Sequence, residues 1–344
     1  MSHDLRSRIE SLVDGKVDQA ADPSAVIELL AALERAEVRA AERDGRGAWR
    51  AVRWVKQGIL LVFRVGRVVD MSPRSLGTFP APFHFADKDT LTTQAFPPDR
   101  NVRVVPGGST IRRGAFVGPG AVCMPPMFIN VGAYVGAGTM VDSHALVGSC
   151  AQIGERVHLS AAAQIGGVLE PVNATPVVVE DDAFIGGNCG VYEGTIVRRR
   201  AVLAPGVILT RGTPVYDMVH EKIYRANGDA PLEIPEGAVV VPGARRAGEG
   251  WSQEFGLSLA APIIVKYRDA STDAATALIA ARSRARARSR SSDLAASAGR
   301  SRARSPSGTP GCARGATHSS IAISRTMRAC RSRAARTTRC AARR

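Results

Sequence analysis

The chain has 344 residues, 45% of them apolar and only 5% aromatic, with six cysteines and a formal net charge of +15. It is long enough for one large domain or two to three smaller ones, with a core built from Val, Ile, Leu and Ala. No apolar run approaches the roughly 18 residues of a membrane span, and the opening MSHDLRSRIESLVDG lacks a signal-peptide core, so the expectation is a cytoplasmic protein with no membrane partner. The charge is unevenly placed: residues 281–344 hold 17 Arg, no Lys and one acid, whereas residues 1–280 hold 29 basic and 30 acidic side chains. The body is therefore neutral, which argues against nucleic acid as its partner. Cysteine spacings suit neither a zinc site nor a disulfide framework, and scattered reduced thiols are expected.

The first hundred residues read as a helical N-terminal domain and linker (1–100). LRSRIESLV and PSAVIELLAALERAEV space their apolar residues at three and four, with Asp22 and Pro23 opening the second helix. Asp44-Gly45 marks a tight turn between two short extended segments. RWVKQGILLVFRV is a third helix, with Trp54, Ile59, Leu60 and Phe63 as its expected buried stripe. Residues 70–100, rich in Pro, Phe and Asp without a clear period, read as a packed linker.

A different rule governs the next stretch. Ile111, Val117, Cys123, Ile129, Val135, Val141, Val147, Ile153, Leu159 and Ile165 recur every six residues. Four residues after each stands a mostly small or apolar residue, from Ala115 to Leu169. The phase breaks at PVNATPVV and resumes at Val179, Ile185, Val191, Val197, Leu203, Leu209 and Val215. A helix repeats near 3.6 residues and a strand near 2.0, so neither alone gives six. A hexapeptide period is the signature of a parallel β-helix, with three short strands per 18-residue coil and each aliphatic pointing inward. The fold expected over 101–245 is a left-handed parallel β-helix in a mainly β protein. YDMVHEKIYRANGDAPLEIPEGAVVVPGA reads as a loop followed by one more strand. A small strand and helix extension (246–280) follows, its helix capped by Ser271 or Thr272. Residues 281–344 read as a disordered tail, because Arg, Ser and Ala without large apolars cannot offset ordering entropy. Arg without Lys looks more like GC-rich sequence read in a shifted frame than a selected basic arm.

Such a prism is too thin to enclose a pocket, so its chemistry belongs on a face, between prisms packed side by side. That favours a homo-oligomer, most simply a homotrimer. Within it, VRVVPGGSTIRRGAFVGPGAVCMPPMFINVGAYVGAGTMVD, VDSHALVGSCAQIGERVHLS, IGGVLEP and FIGGNCGVYEGTIV, followed by PEGAVVVPG, resemble the tetrahydrodipicolinate N-succinyltransferase family. The resemblance covers roughly residues 5–280, including the helical domain that other hexapeptide acyltransferases lack. It implies transfer of succinyl from succinyl-CoA, a co-substrate rather than a bound cofactor, to the amino group of ring-opened tetrahydrodipicolinate in lysine and diaminopimelate synthesis. No metal is implied.

That reaction needs a base for the ammonium proton, cations or N–H donors for the substrates' carboxylates, and a preorganised donor for the thioester oxygen. By the resemblance, Asp142 matches the family's catalytic and substrate-binding carboxylate, and Arg103 its substrate-carboxylate arginine. A departure stands at Gly190, where family members often carry a second catalytic Glu; either Glu193 or another carboxylate takes over, or the second Glu is not essential in this branch. His144 could serve as a base but reads better as a packed or solvated side chain. Glu170 shapes the site or simply begins the loop. Arg245 and Arg246, near the last coil, are candidates for the CoA phosphates. The same prism could carry an N-acetyltransferase on the same or a related acceptor, or a non-catalytic scaffold. A prism carbonic anhydrase would need three metal-binding histidines, and the repeats hold only His144 and His158.

Overall fold

The computed structural model describes residues 2–15, 23–72 and 84–273. The expected cap at Asp22 and the tail 281–344 lie outside these residues. Three helices, α1 (Ser2–Val13), α2 (Ser24–Glu34) and α3 (Arg53–Val65), form the N-terminal part. Between α2 and α3 runs an antiparallel hairpin, Ala41–Arg43 against Trp49–Ala51. Asp44 shapes its turn: its Oδ1 accepts from the backbone N–H groups of Arg46 and Ala48, both at 2.9 Å. The proposed stripe of α3 is right at Ile59 and shifted elsewhere. Val55, Lys56, Leu61 and Val62 are buried, whereas Trp54, Leu60 and Phe63 are half-buried. The helix contacts α1 and α2 on one side and the prism on another, so its buried face is wider than a single stripe. The linker region is structured where it is described. Val68–Asp70 pairs antiparallel with Ala86–Lys88, and Thr93 bridges Arg112 on the first coil.

From Arg103 onward the chain winds into a parallel β-helix of two-residue strands. Face one begins with 103–104, 122–123, 140–141, 158–159, 184–185, 202–203 and 238–241. Face two holds 110–111, 128–129, 146–147, 164–165, 190–191 and 208–209. Face three holds 116–117, 134–135, 152–153, 178–179, 196–197 and 233–234. In the regular coils each rung pairs with the residue 18 positions on, as Val135 does with Ile153. Ile153 instead pairs with Val179, so the phase break is an insertion of one loop into the edge between faces two and three. The second residue of every coil strand from Ile111 to Leu209 is buried, which is the six-residue series read from the sequence.

Four expectations need correction. Leu169 leaves the prism interior and packs half-buried against the helical core, because the loop has by then swung outward. Val215 is buried but leaves the coil ladder: face three continues instead with Glu233–Ile234. The segment expected as a loop before the last strand thus contains a rung and a hairpin, Val215–Asp217 against Lys222–Tyr224. The terminal helical turn is capped by Asp269, whose Oδ1 accepts from the Thr272 N–H at 2.8 Å, not by Ser271 or Thr272.

The prism's C-terminal end is closed by Ile263–Tyr267, antiparallel to Ala238–Val241 and parallel to Val215–Asp217. Buried Asp217 ties the closure: its Oδ2 accepts from Tyr267 Oη at 2.7 Å and lies 3.0 Å from His220 Nδ1. Burial alone would raise the Asp217 carboxyl, but these hydrogen bonds outweigh it and hold it below the usual carboxylate range.

The helical part sits against the edge between faces two and three. Gly132, at φ +74°, leaves room for α3 there: a Cβ would stand 2.6 Å from Ile59 Cδ1. Val131 and Cys150 from that edge join the helical core. Above them Arg39 lies 3.6 Å from the Tyr134 ring centroid, and its Nε donates to Gln152 Oε1 at 2.9 Å. Cys123, Cys150 and Cys189 are free thiols in the core, and burial pushes the first two up to about 12. No helix among the described residues is long and apolar enough to cross a membrane.

Candidate active site

Asp142 follows inward-facing Val141 at the edge between faces one and two. Its backbone N–H donates to Leu159 O at 2.9 Å, which fixes the corner, and its Oδ1 accepts from the Ser143 N–H at 2.7 Å. The side chain is half-buried, so the carboxylate faces outward with its second oxygen left for other partners. Arg103 belongs to the first rung of face one, and its Nη2 reaches 3.6 Å from Met124 Sδ. Met124 occupies the corner one coil before Asp142, since its N–H donates to Val141 O. The structure thus brings Asp142 and Arg103 to one edge of the prism.

His158, directly above Met140 on face one, joins that edge. Its ring stacks on Phe184 at 5.0 Å. Burial lowers its basicity, and the nearby Asp142 carboxylate only partly opposes this. His144, by contrast, is exposed in the left-handed region at φ +63°, and its backbone N–H donates to Pro126 O. It is a solvated corner residue.

Glu193 stands elsewhere: on the edge between faces two and three, two coils further along, about 10 Å up the prism axis. It is exposed, with φ +53°, and its Oε2 accepts from the Arg211 N–H at 2.9 Å. Within one chain it does not meet Asp142. It lines a cleft of about 900 Å³ together with Glu170, Tyr192, Arg211 and Asp229, walled by the inserted loop 166–175 and by Arg50 from the hairpin. Glu170 is exposed on that wall.

At Gly190 the missing side chain has an explanation in the structure. A Cβ there would fall 2.4 Å from Tyr192 Cε2, so the tyrosine ring fills the space. Arg245 and Arg246 belong to a hairpin beyond the last rung, Ala244–Arg246 against Ser258–Ala260. Arg246 is exposed, while the half-buried Arg245 has a buried Nε with no hydrogen-bond partner among the described residues.

The inserted loop is held from below by Lys56. This side chain is fully buried and its Nζ donates to Pro171 O at 3.0 Å and Ala174 O at 2.8 Å. No carboxylate forms an ion pair with it among the described residues, and burial pulls its pKa below the ordinary lysine value. Sequence reasoning passed over Lys56, although a lysine three residues before Ile59 on an apolar helix face was the available signal. For Arg50 and Arg211 no such signal exists, because only the coiling brings them to the loop. Among the described residues no group of three His, Cys, Asp or Glu side chains could hold a metal ion.

The hexapeptide prism, with charged residues on its edges and a helical domain at its N-terminus, places the chain in the hexapeptide-repeat class. The family model for the tetrahydrodipicolinate N-succinyltransferase N-terminal region matches residues 4–65, and that for the hexapeptide repeat of succinyl-transferase matches residues 176–211. The 2,3,4,5-tetrahydropyridine-2,6-dicarboxylate N-succinyltransferase of Rhodopseudomonas palustris is 40% identical over 280 residues, 80% of this chain and 93% of the relative. That of Nitrobacter hamburgensis is 41% identical over 283 residues, with the same shares covered. That of Polynucleobacter asymbioticus is 42% identical over 260 residues, 74% and 87% of the two chains. The chain belongs to the 2,3,4,5-tetrahydropyridine-2,6-dicarboxylate N-succinyltransferase family.

Proposed function

We propose that the protein is an acyltransferase that moves succinyl from succinyl-CoA to the amino group of ring-opened tetrahydrodipicolinate, in lysine and diaminopimelate synthesis. The observation that carries this reading is likeness along the whole folded body, helical domain included, to relatives that bear that activity in their names. The prism alone is shared by transferases with other donors and acceptors, so it supports only the reaction class.

In this mechanism the acceptor amine loses a proton and its nitrogen attacks the thioester carbonyl carbon. A C–N bond forms, the tetrahedral oxyanion collapses and the C–S bond breaks; the nitrogen gives up its second proton, the thiolate takes up a proton, and CoA leaves as a thiol. Asp142 is the base that takes the ammonium proton, helped by its outward, half-buried setting beside His158. Arg103, on the same edge, binds a substrate carboxylate. Backbone N–H groups at the corners supply the oxyanion donors.

Asp142 and Glu193 stand on different edges, so a site using both is shared between copies. The reading is a homotrimer in the cytoplasm, with the Asp142 edge of one copy facing the cleft of the next. Glu193 acts there as the second carboxylate, and Arg245 and Arg246 bind CoA phosphates from the prism's far end. Thiol release measured with succinyl-CoA and with acetyl-CoA, each with and without acceptor, tests the reading. Release that needs both succinyl-CoA and acceptor supports it; release from acetyl-CoA alone replaces the donor.

A further inference from the structure

The cleft beside the inserted loop contains a side chain that the mechanism above leaves unused. Tyr192 lies flat on a floor made by two glycines from successive coils. A Cβ at Gly166 would stand 2.8 Å from Tyr192 Cδ1, and one at Gly190 would stand 2.4 Å from Cε2 and 3.0 Å from Cζ. Gly166 and Gly190 are the floor because neighbouring rungs of face two bring them together: Gln164 pairs with Gly190, and Gly166 N–H donates to Val191 O at 2.8 Å. Neither glycine is in the left-handed region, so backbone conformation does not demand them. At both positions the atom nearest an added Cβ belongs to the Tyr192 ring, with Ile208 Cδ1 also 3.0 Å from that of Gly190.

A tyrosine laid down so closely presents its hydroxyl at a fixed place. That hydroxyl has no hydrogen-bond partner among the described residues, and the side chain lines the 900 Å³ cleft. The hydroxyl is not buried, and it opens into the cleft, where it can donate to a ligand. The surroundings indicate the ligand's chemistry. Arg50 and Arg211 contribute positive charge, and Glu170, Glu193 and Asp229 contribute negative charge to the same cleft. A mixed lining of this kind suits a molecule carrying both an ammonium and carboxylates, which describes the acceptor of the reaction proposed above.

We propose that Tyr192 contacts the acceptor substrate, its phenol O–H donating to an acceptor carboxylate in this cleft, and that Gly166 and Gly190 exist to seat it. The inference rests on the proposed reaction for the acceptor's identity. It differs from that proposal in assigning the contact to a residue and a floor rather than to the edge that carries Asp142. The loop after Gly166, fastened by Lys56 at Pro171 and Ala174, forms the opposite wall.

The test uses the full chain and two readouts. Equilibrium binding of 2-aminoheptanedioate, an amine with two carboxylates, is measured calorimetrically in the presence of CoA, which has no acyl group to transfer. Steady-state kinetics are measured in parallel. Tyr192→Phe removes only the hydroxyl: Kd for the dicarboxylic amine and KM for the acceptor should each rise about 10-fold, as loss of a hydrogen bond to a charged group implies. KM for succinyl-CoA and the melting temperature should stay the same. Gly190→Ala should reproduce the defect by tilting the ring, and the double variant should be no worse than either single one. Equal Kd values for wild type and Tyr192→Phe would overturn the inference, as would absence of binding by the wild type. Normal binding and a normal Tyr192 effect in a protein that releases no thiol would instead sink the reaction while leaving the site.

Discussion

Two stretches of the same prism, the unbroken rungs from Ile111 to Ile165 and the insertion between Gly166 and Val177, are held in opposite ways. In the rungs every strand but the first on each face hydrogen-bonds to the coil before and the coil after, and each hexapeptide sends its aliphatic and most send a second, mostly small residue into the interior. The insertion has no ladder. It is held by a buried ammonium on two carbonyl oxygens and by Leu169 against the helical core. Repetition thus supplies a stiff frame whose rungs are nearly interchangeable, and the interruption supplies the concave wall that a frame of this kind cannot make for itself.

The contrast can be broken at several points. If regular coils contribute chemistry only through corner side chains, Asp142→Asn should lower kcat about 10²–10⁴-fold, the usual worth of a positioned base. Its melting temperature and subunit assembly, read by calorimetry and light scattering, should not change. An interior rung should behave in the reverse manner. Ile153→Ala, at a fully buried position, should cost about 2–5 kcal/mol in denaturant unfolding through lost burial and a cavity.

Lys56→Met tests the insertion. It removes a desolvated charge but strands two carbonyl oxygens, at about 1–3 kcal/mol each. Hydrogen exchange should quicken in residues 168–175 and hardly change at Val135 or Ile153; uniform quickening would show that the loop is not separately held. A smaller effect concerns pH. His158 has a lowered pKa in the folded protein, so the unfolded chain binds more protons just below its ordinary value of about 6.5. Its contribution to stability is complete above that pH and is lost as the pH falls through the folded value. His158→Gln should flatten that part of the stability profile. Smallest of all, deletion of residues 281–344 should leave activity and melting temperature unchanged; insolubility of the shortened protein would contradict that reading of the tail.

The same contrast explains what the sequence made legible. A six-residue period is a geometric instruction, and every inward aliphatic from Ile111 to Leu209 lies where that period puts it. Asp142 and Arg103 could be matched by motif, and the coil geometry places them on one edge. Non-periodic features were less readable. Which face of α3 is buried depends on the prism packed against it, so Ile59 is fully buried, Trp54 and Phe63 are only partly buried against the helical core, and Leu60 is half-buried outside it. Val215 keeps the spacing but leaves the coil, because a hairpin interrupts the chain before the next rung at Glu233–Ile234. The seating of Tyr192 on two glycines is invisible in sequence, since Gly166 and Gly190 are 24 positions apart and become neighbours only through the insertion.

The most direct test of the account is acceptor-dependent thiol release from succinyl-CoA by the intact protein, with Asp142→Asn alongside. The account predicts release that requires the acceptor, prefers succinyl-CoA over acetyl-CoA and nearly vanishes in the variant. Release at an equal rate in wild type and variant, or none with either donor, would contradict it.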